Sequence, residues 1–269
     1  MCPGDPIHPR GSMSGSLKRV LRDVLPTRVV QALRYLRYPE RFAYLPGLTY
    51  CEDGLAHVHN TAVLEERRFK EAYSIIKANG AWQGHEMRWR AYVVSWCARK
   101  AAGLQGDFVE CGVNEGGYSR LAMHCIEFDR MPERMFYLLD TYCGTPPDAY
   151  SPGENPGTRH IYSECYDRAK AMFSGFPNAR LIRGEVPGTL AQITSDRICY
   201  LSLDMNVARP EIAAAKHLWE RLVPGAPVIL DDYNWIGYEE QKKAFDLFAK
   251  ERAVEVLALP TGQGIILKP

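Results

Sequence analysis

The chain contains no Cys-x-x-Cys pair, although it carries eight cysteines. The irregular spacing argues against a zinc ribbon or a dithiol redox pair. Cys97, Cys111, Cys125 and Cys199 lie inside apolar strand or helix patterns. That predicts buried free thiols in a reducing compartment, and with them a cytoplasmic location. No apolar run approaches the length of a membrane span. Residues 1–16 offer Pro, Gly and Ser where a signal peptide has its apolar core. Net charge is almost absent, at +1, so no global field favours nucleic acid or an acidic membrane. There is no internal repeat. The glycines of the first strand–helix turn do not form Gly-x-Gly-x-x-Gly, the dinucleotide fingerprint.

What remains is the composition of a soluble globular protein, 46% hydrophobic and 24% charged over 269 residues. That length suits one large α/β domain with an N-terminal extension, or two small domains. Gly11-Ser12-Met13 reads as a tag or cloning scar ahead of a native start, so residues 1–12 are set aside. Residues 13–83 are expected to form a helical arm and lid, and residues 84–269 the α/β domain. Within the arm, Leu17, Val20, Leu21, Val24, Val29, Val30, Leu33 and Leu36 recur at helical spacing, broken at Pro26. Its Arg- and Lys-rich face suits a membrane surface or a solvated face; packing of these helices against a second copy would give a homo-oligomer. Residues 44–60 read as loop. His57 and His59 lack a third ligand nearby, which weighs against a metal pair.

The organising stretch is Asp107-Phe108-Val109-Glu110-Cys111-Gly112-Val113-Asn114-Glu115-Gly116-Gly117-Tyr118. Residues 108–111 predict a buried strand, followed by a glycine turn and a helix opening near Gly117. Glycine permits a tight turn and close backbone approach to a ligand. The helix start behind it presents N–H groups and a partial positive charge. Helices are predicted over 61–78, 84–102 and 118–128, with Asn79-Gly80 and Gly103 as stops. Strands and helices then alternate. Strands are predicted at 135–139, 179–182, 198–203 and 227–230, and helices at 161–173, 210–222 and 237–252. Two final strands, 254–257 and 264–267, are joined by a link too short for a helix, and so must be antiparallel neighbours. This pattern is a doubly wound, Rossmann-like α/β sheet of seven strands with one antiparallel member.

Ligands of such sheets bind beyond the carboxyl ends of the strands. Acids end four of the strands there: Glu110, Asp140, Asp204 and the pair Asp231-Asp232. Unrelieved, like charges repel by roughly 1 kcal/mol or more per close pair. A sulfonium, ribose hydroxyls and a divalent cation would each relieve that repulsion. Asp140 is placed to accept ribose hydroxyls. Asp204, Asp231 and Asp232 make an all-oxygen site suited to Mg²⁺ or a similar ion; simple turn chemistry is the competing account of Asp231-Asp232. The stretch 141–159 is rich in Pro and Gly and reads as a lid over an acceptor pocket.

The motifs Gly106-Asp107-Phe108-Val109-Glu110-Cys111-Gly112-Val113…Gly116-Gly117, Leu139-Asp140-Thr141-Tyr142…Gly144…Pro146-Pro147, Leu201-Ser202-Leu203-Asp204 and Pro224-Gly225…Val228-Ile229-Leu230-Asp231-Asp232-Tyr233 occur in an order that resembles the macrocin O-methyltransferase (TylF-type) family, from about residue 84 onward. The resemblance implies a class I methyltransferase fold. It also implies S-adenosyl-L-methionine (SAM) as cofactor and O-methylation of a hydroxyl on a sugar or aromatic natural product. Mg²⁺ would be held by Asp204, Asp231 and Asp232. Candidate SAM contacts are Glu110, Gly112, Asn114, Gly116, Gly117, Tyr118, Asp140, Thr141, Gly184, Glu185 and Asp204.

One departure stands out. Family members usually read Asp-Gly-Asp where this chain has Asp204-Met205-Asn206, so an amide replaces a candidate general base. Either the ion alone acidifies the acceptor, or a histidine serves; His160, on the lid flank, is favoured over His124, which falls within an apolar helix stripe. Asn206→Asp is then expected to leave the rate unchanged or raise it. Two other readings stay open. One is a catalytically inert or regulatory SAM-fold protein, for which Asn206 is the argument. The other is a nicotinamide oxidoreductase, which the sheet fits but the glycine spacing does not; the Tyr-x-x-x-Lys pairs at Tyr73–Lys77, Tyr166–Lys170 and Tyr238–Lys242, three in one chain, add little.

Overall fold

In the computed structural model the described residues are 47–154 and 162–269. The apolar–basic pattern of residues 17–38 and the candidate base His160 lie outside them. Residues 49–269 form one compact unit.

The described chain opens with a hairpin of β1 (Tyr50–Glu52) and β2 (Leu55–His57), where the sequence pattern suggested loop. Its turn is Asp53-Gly54, with φ of 48° and 75°. Two positive φ values are what a two-residue hairpin turn demands, and Asp-Gly supplies them. The helix expected over 61–78 is divided: a 3₁₀ turn covers Ala62–Glu65, Glu66 is extended, and α1 runs Arg67–Ala78. The next helix, α2, begins at Arg88 and not at Gly84 (Arg88–Ala102), because Gly84 ends a separate 3₁₀ turn (Ala81–Gly84) with φ 82° and His85 after it is extended. Its buried face is made of small residues, Ala91, Val94, Cys97, Ala98 and Ala101, which lets it pack closely on the helix after the glycine turn.

The main sheet then forms. In chain order come β3 (Asp107–Cys111), α3 (Gly117–Ile126), β4 (Phe136–Asp140), α4 (Tyr166–Phe173), β5 (Ala179–Arg183), β6 (Ile198–Leu203), α5 (Ala208–Leu218), β7 (Pro227–Leu230), α6 (Glu239–Glu251), β8 (Leu257–Ala258) and β9 (Gly264–Leu267). Their spatial order is β5-β4-β3-β6-β7-β9-β8. β3 to β7 are mutually parallel, and β9 runs antiparallel to both β7 and β8. Both faces of the sheet are covered. Phe108, Phe136, Leu138 and Tyr200 face one core, and Val109, Tyr137, Leu139, Leu201 and Leu203 face the other. That period of two explains why these strands read as unbroken apolar runs. The chain moves outward from β3 through β4 to β5, then returns to the other side of β3 as β6. The switch point between β3 and β6 is where an open α/β sheet forms its ligand crevice.

Candidate active site

At that switch point Gly112 leaves β3 with φ 91°, and a Cβ there would overlap the main-chain carbonyl of Asp204. The glycine therefore lets the ends of β3 and β6 touch. The turn is held by the end of β4. Asp140 Oδ2 accepts the main-chain N–H groups of Val113 and Asn114 at 2.6 and 2.7 Å, and Oδ1 accepts that of Tyr142 at 2.6 Å. The Thr141 hydroxyl donates to Gly144 O at 2.7 Å. A carboxylate has about four acceptor positions, so Asp140 is first of all the clamp on the turn. The Thr141 hydroxyl lies 3.3 Å from Oδ1 as a further, longer contact, and Asp140 also lines the cavity above the turn.

The other residues of the turn divide by what they face. Gly116 takes φ 91° and caps α3, and a Cβ on it would run into the Phe173 ring of α4, not into ligand space. Gly117 lies under the Trp82 indole, with a built Cβ 2.6 Å from Nε1. Glu110 lies deep in the site: it is 1% exposed, lines the cavity described below, and receives a hydrogen bond from the Ser119 hydroxyl. Burial raises its carboxyl to about 8 against the Ser119 bond, which lowers it. Tyr118 is also buried, against the Trp82 ring, its phenol pushed upward first by burial.

Above the turn lies a cavity of about 350 Å³. Glu110, Gly112, Asn114, Gly117, Tyr118, Asp140, Thr141, Gly184, Glu185, Asp204 and Asn206 line it, so it brings together every sequence-predicted cofactor contact except Gly116. Much of the rest of the wall is apolar or aromatic, including Trp82, Pro146, Tyr162, Val186 and Val207.

Asp204 connects this cavity to the acids at the end of β7. One carboxylate oxygen each from Asp204, Asp231 and Asp232 lie within 4.8 Å of one another. Burial, and then the charges of Asp231 and Asp232, push the Asp204 carboxyl well up. Burial likewise carries Asp232 to about 7, against the pull of Arg90. Arg90 is the residue that sequence reasoning missed. Its guanidinium meets Asp231 Oδ2 at 2.9 Å and Asp232 Oδ1 at 3.2 Å, lies 3.5 Å from Asp53 Oδ2, and stacks on Trp235 at 5.1 Å. Gln263 donates to the other Asp231 oxygen at 2.8 Å. Asp232 Oδ2 is buried without a hydrogen-bond partner among the described residues. A signal for Arg90 existed: positions 90, 94, 97, 98 and 101 form one helical stripe, and Arg90 is the charge on it.

Asn206 is engaged on both sides of its amide. Nδ2 donates to Asp204 Oδ1 at 3.2 Å; Oδ1 accepts from Tyr162 at 3.3 Å and Tyr238 at 3.1 Å. Its backbone has φ 63°. The loop beneath is pinned by Glu211, whose Oε1 accepts the N–H groups of Met205 and Asn206 and the Gln241 amide. The other histidine, His124, lies in a surface pocket with Arg67, Lys70 and Glu71 of α1, away from the cavity.

A parallel sheet closed by one antiparallel strand, with its cavity at the β3/β6 switch point, defines a doubly wound, Rossmann-like α/β domain. Residues 88–257 match the model of the macrocin-O-methyltransferase (TylF) family, and the chain belongs to that family. This removes the ground for the nicotinamide reading. Among curated proteins it is similar to mycinamicin III 3''-O-methyltransferase of Micromonospora griseorubida, 25% identical over 143 residues. That match covers 49% of this chain and 56% of the relative, so the chain spans little more than half the length of that enzyme. The fold is shared with the O-methyltransferase NovP (TM-score 0.64, 16% identity, 78% of this chain and 99% of that one). It is also shared with the calicheamicin methyltransferase CalS11 (TM-score 0.54, 16% identity, 78% and 94%).

Proposed function

We propose that the chain is a SAM-dependent, divalent-metal-assisted O-methyltransferase acting on a hydroxyl of a sugar or aromatic natural product. The observation that carries this reading is a juxtaposition. The three carboxylates of Asp204, Asp231 and Asp232 adjoin the cavity whose opposite wall is the Asp140-clamped glycine turn. The donor set fits a hard cation: three carboxylates of which one, Asp232, carries an unpartnered buried oxygen. Arg90 offsets only part of that charge. The cavity also fits an elongated cofactor, with the α3 N-terminus at one end and Gly184 and Glu185 beyond the β4–β5 strand ends at the other.

When bound, SAM supplies an electrophilic methyl group and the cation lowers the pKa of a coordinated hydroxyl. The chain's own part is positioning. Asp140 fixes the turn, Asn206 fixes the Asp204 carboxylate and two tyrosines, and the apolar wall keeps water from the reacting pair. Proton removal by Asn206 itself is chemically closed, since a neutral amide is no base at neutral pH. His160 remains the proposed relay. The mycinamicin relative acts, by its name, at the 3''-oxygen of mycinamicin III; a doubly primed position numbers an appended ring, which supports a glycosylated acceptor over a free phenol.

The test is methyl transfer from SAM to a panel of macrolide and phenolic acceptors, with protein stripped by EDTA and then given Mg²⁺. The reading expects turnover only with metal restored. SAM binding in calorimetry with full turnover in EDTA would leave a methyltransferase but remove the metal. SAM binding without turnover on any acceptor would favour the inert, regulatory reading, for which Arg90 lying against Asp231 and Asp232 is the structural argument.

A further inference from the structure

Trp82 lies ahead of the family-matched segment, which begins at residue 88, and it has an unusual backbone. Its φ is 60°. A bulky side chain in the left-handed region is a genuine outlier, of a kind that persists only when its surroundings hold it. What holds it is aromatic packing on both sides, with ring centroids 5.3 Å from Tyr73 and 5.4 Å from Tyr118. Tyr73 is itself fixed by its hydroxyl, which donates to Glu86 and accepts the Met87 N–H, each at 2.9 Å. The indole is thus carried by a rigid strut between α1 and α2.

The strut delivers the indole to the cavity. Trp82 is half-buried and lines the same space as Gly112, Asn114, Gly117 and Asp140. Its edge lies directly over Gly117, with a built Cβ there 2.6 Å from Nε1 and 2.8 Å from Cε2. Gly117 does not have a positive φ, so its backbone does not require glycine; the indole does. The ring therefore stands at the first turn of α3, the end of the cavity where a helix start favours a carboxylate. Trp offers that end two things, an N–H donor and an apolar face beside an ammonium or sulfonium.

We propose that Trp82 is a cofactor-binding residue that contacts the amino-acid end of SAM and completes a cavity wall which the family-matched segment leaves open. The proposal rests on the SAM-binding reading above. It places part of the cofactor site on the turn Ala81–Gly84, so the segment between α1 and α2 is a component of that site as well as a brace for the core.

Two probes separate this from a purely structural role. S-adenosylhomocysteine carries the amino-acid end; 5'-methylthioadenosine has the same nucleoside and lacks it. Calorimetric titration of both into wild type, Trp82→Leu and Gly117→Ala, with Tm recorded for each protein, gives the answer. The expected result is an affinity for S-adenosylhomocysteine about tenfold weaker in each variant, with methylthioadenosine binding unchanged. Gly117→Ala acts here by displacing the indole, and it raises helix propensity, so it remains informative if Trp82→Leu folds poorly. Equal loss for both probes, or no loss for either, would overturn the proposal while leaving SAM binding standing. Wild-type protein that binds neither probe would remove both the proposal and the reading beneath it.

Discussion

Asn206 donates its side-chain N–H to the carboxylate of Asp204, Nδ2 to Oδ1 at 3.2 Å. The residue at the position of a candidate base is therefore a donor to one of the three clustered acids. The sequence by itself leads to the opposite expectation for Asn206→Asp, and the two are separated by experiment. In Asn206→Asp the donor becomes a second carboxylate beside Asp204. Hydrogen bonds to charged groups contribute about 1.5–3 kcal/mol, so kcat should fall about 10- to 100-fold. Steady-state kinetics at saturating Mg²⁺ check this, and an unchanged or higher rate would restore the missing-base account.

Arg90 is 8% exposed and bridges Asp231 and Asp232. Breaking a buried ion pair by removing one partner costs about 3–5 kcal/mol, because a charge is left uncompensated. Arg90→Met should lower the unfolding free energy of metal-free protein by that amount in urea titration. Added Mg²⁺ should recover part of the loss, since a cation can replace the missing charge. A variant as stable as wild type in EDTA would show that the three acids need no internal counter-charge.

Glu211 is 2% exposed and burial raises its carboxyl to about 8, against the hydrogen bond from Gln241, which lowers it. The folded protein thus keeps a proton that the unfolded chain releases near the ordinary value of 4.5. Its contribution to stability is complete below that value and is lost as pH rises through about 8. Glu211→Gln should flatten the decline of stability with pH over this window by up to about 1 kcal/mol per pH unit. Urea unfolding of both proteins in EDTA at several pH values measures it; parallel profiles would mean that Glu211 does not titrate.

Gly112 and Gly116 both hold φ 91°, and added Cβ atoms would overlap Asp204 O and the Phe173 ring respectively. Gly112→Ala meets rigid backbone and should cost about 3 kcal/mol or more, with little soluble protein as the readout. Gly116→Val meets a side chain that can shift. It should lower Tm by several degrees whether or not SAM is present. An affinity loss without a Tm change would mean that Gly116 faces the ligand after all.

The strand–helix alternation, the antiparallel closing pair and the acids at the strand ends were legible because each rests on local chemistry: apolar period, turn residues and the length of a link. The glycine turn was legible for the same reason. Its purpose was not, since a glycine's neighbours are unwritten until distant segments meet, and Gly112, Gly116 and Gly117 each answer to a different partner. The Asp53-Gly54 hairpin and the charged residue on the stripe of α2 were present as signals but gain meaning only from their contacts with Trp235, Asp231 and Asp232.

What the sequence alone determined was the architecture and the inventory of acids, because backbone period and residue type are local properties. Tertiary structure decided their states. It set which carboxyls burial pushes upward (Glu110, Glu211), which carboxylate clamps main chain (Asp140), and which are close enough to share a cation (Asp204, Asp231 and Asp232). Burial and charge proximity are fixed by the folding of remote segments together, and a linear order of residues carries neither distance nor solvent exposure.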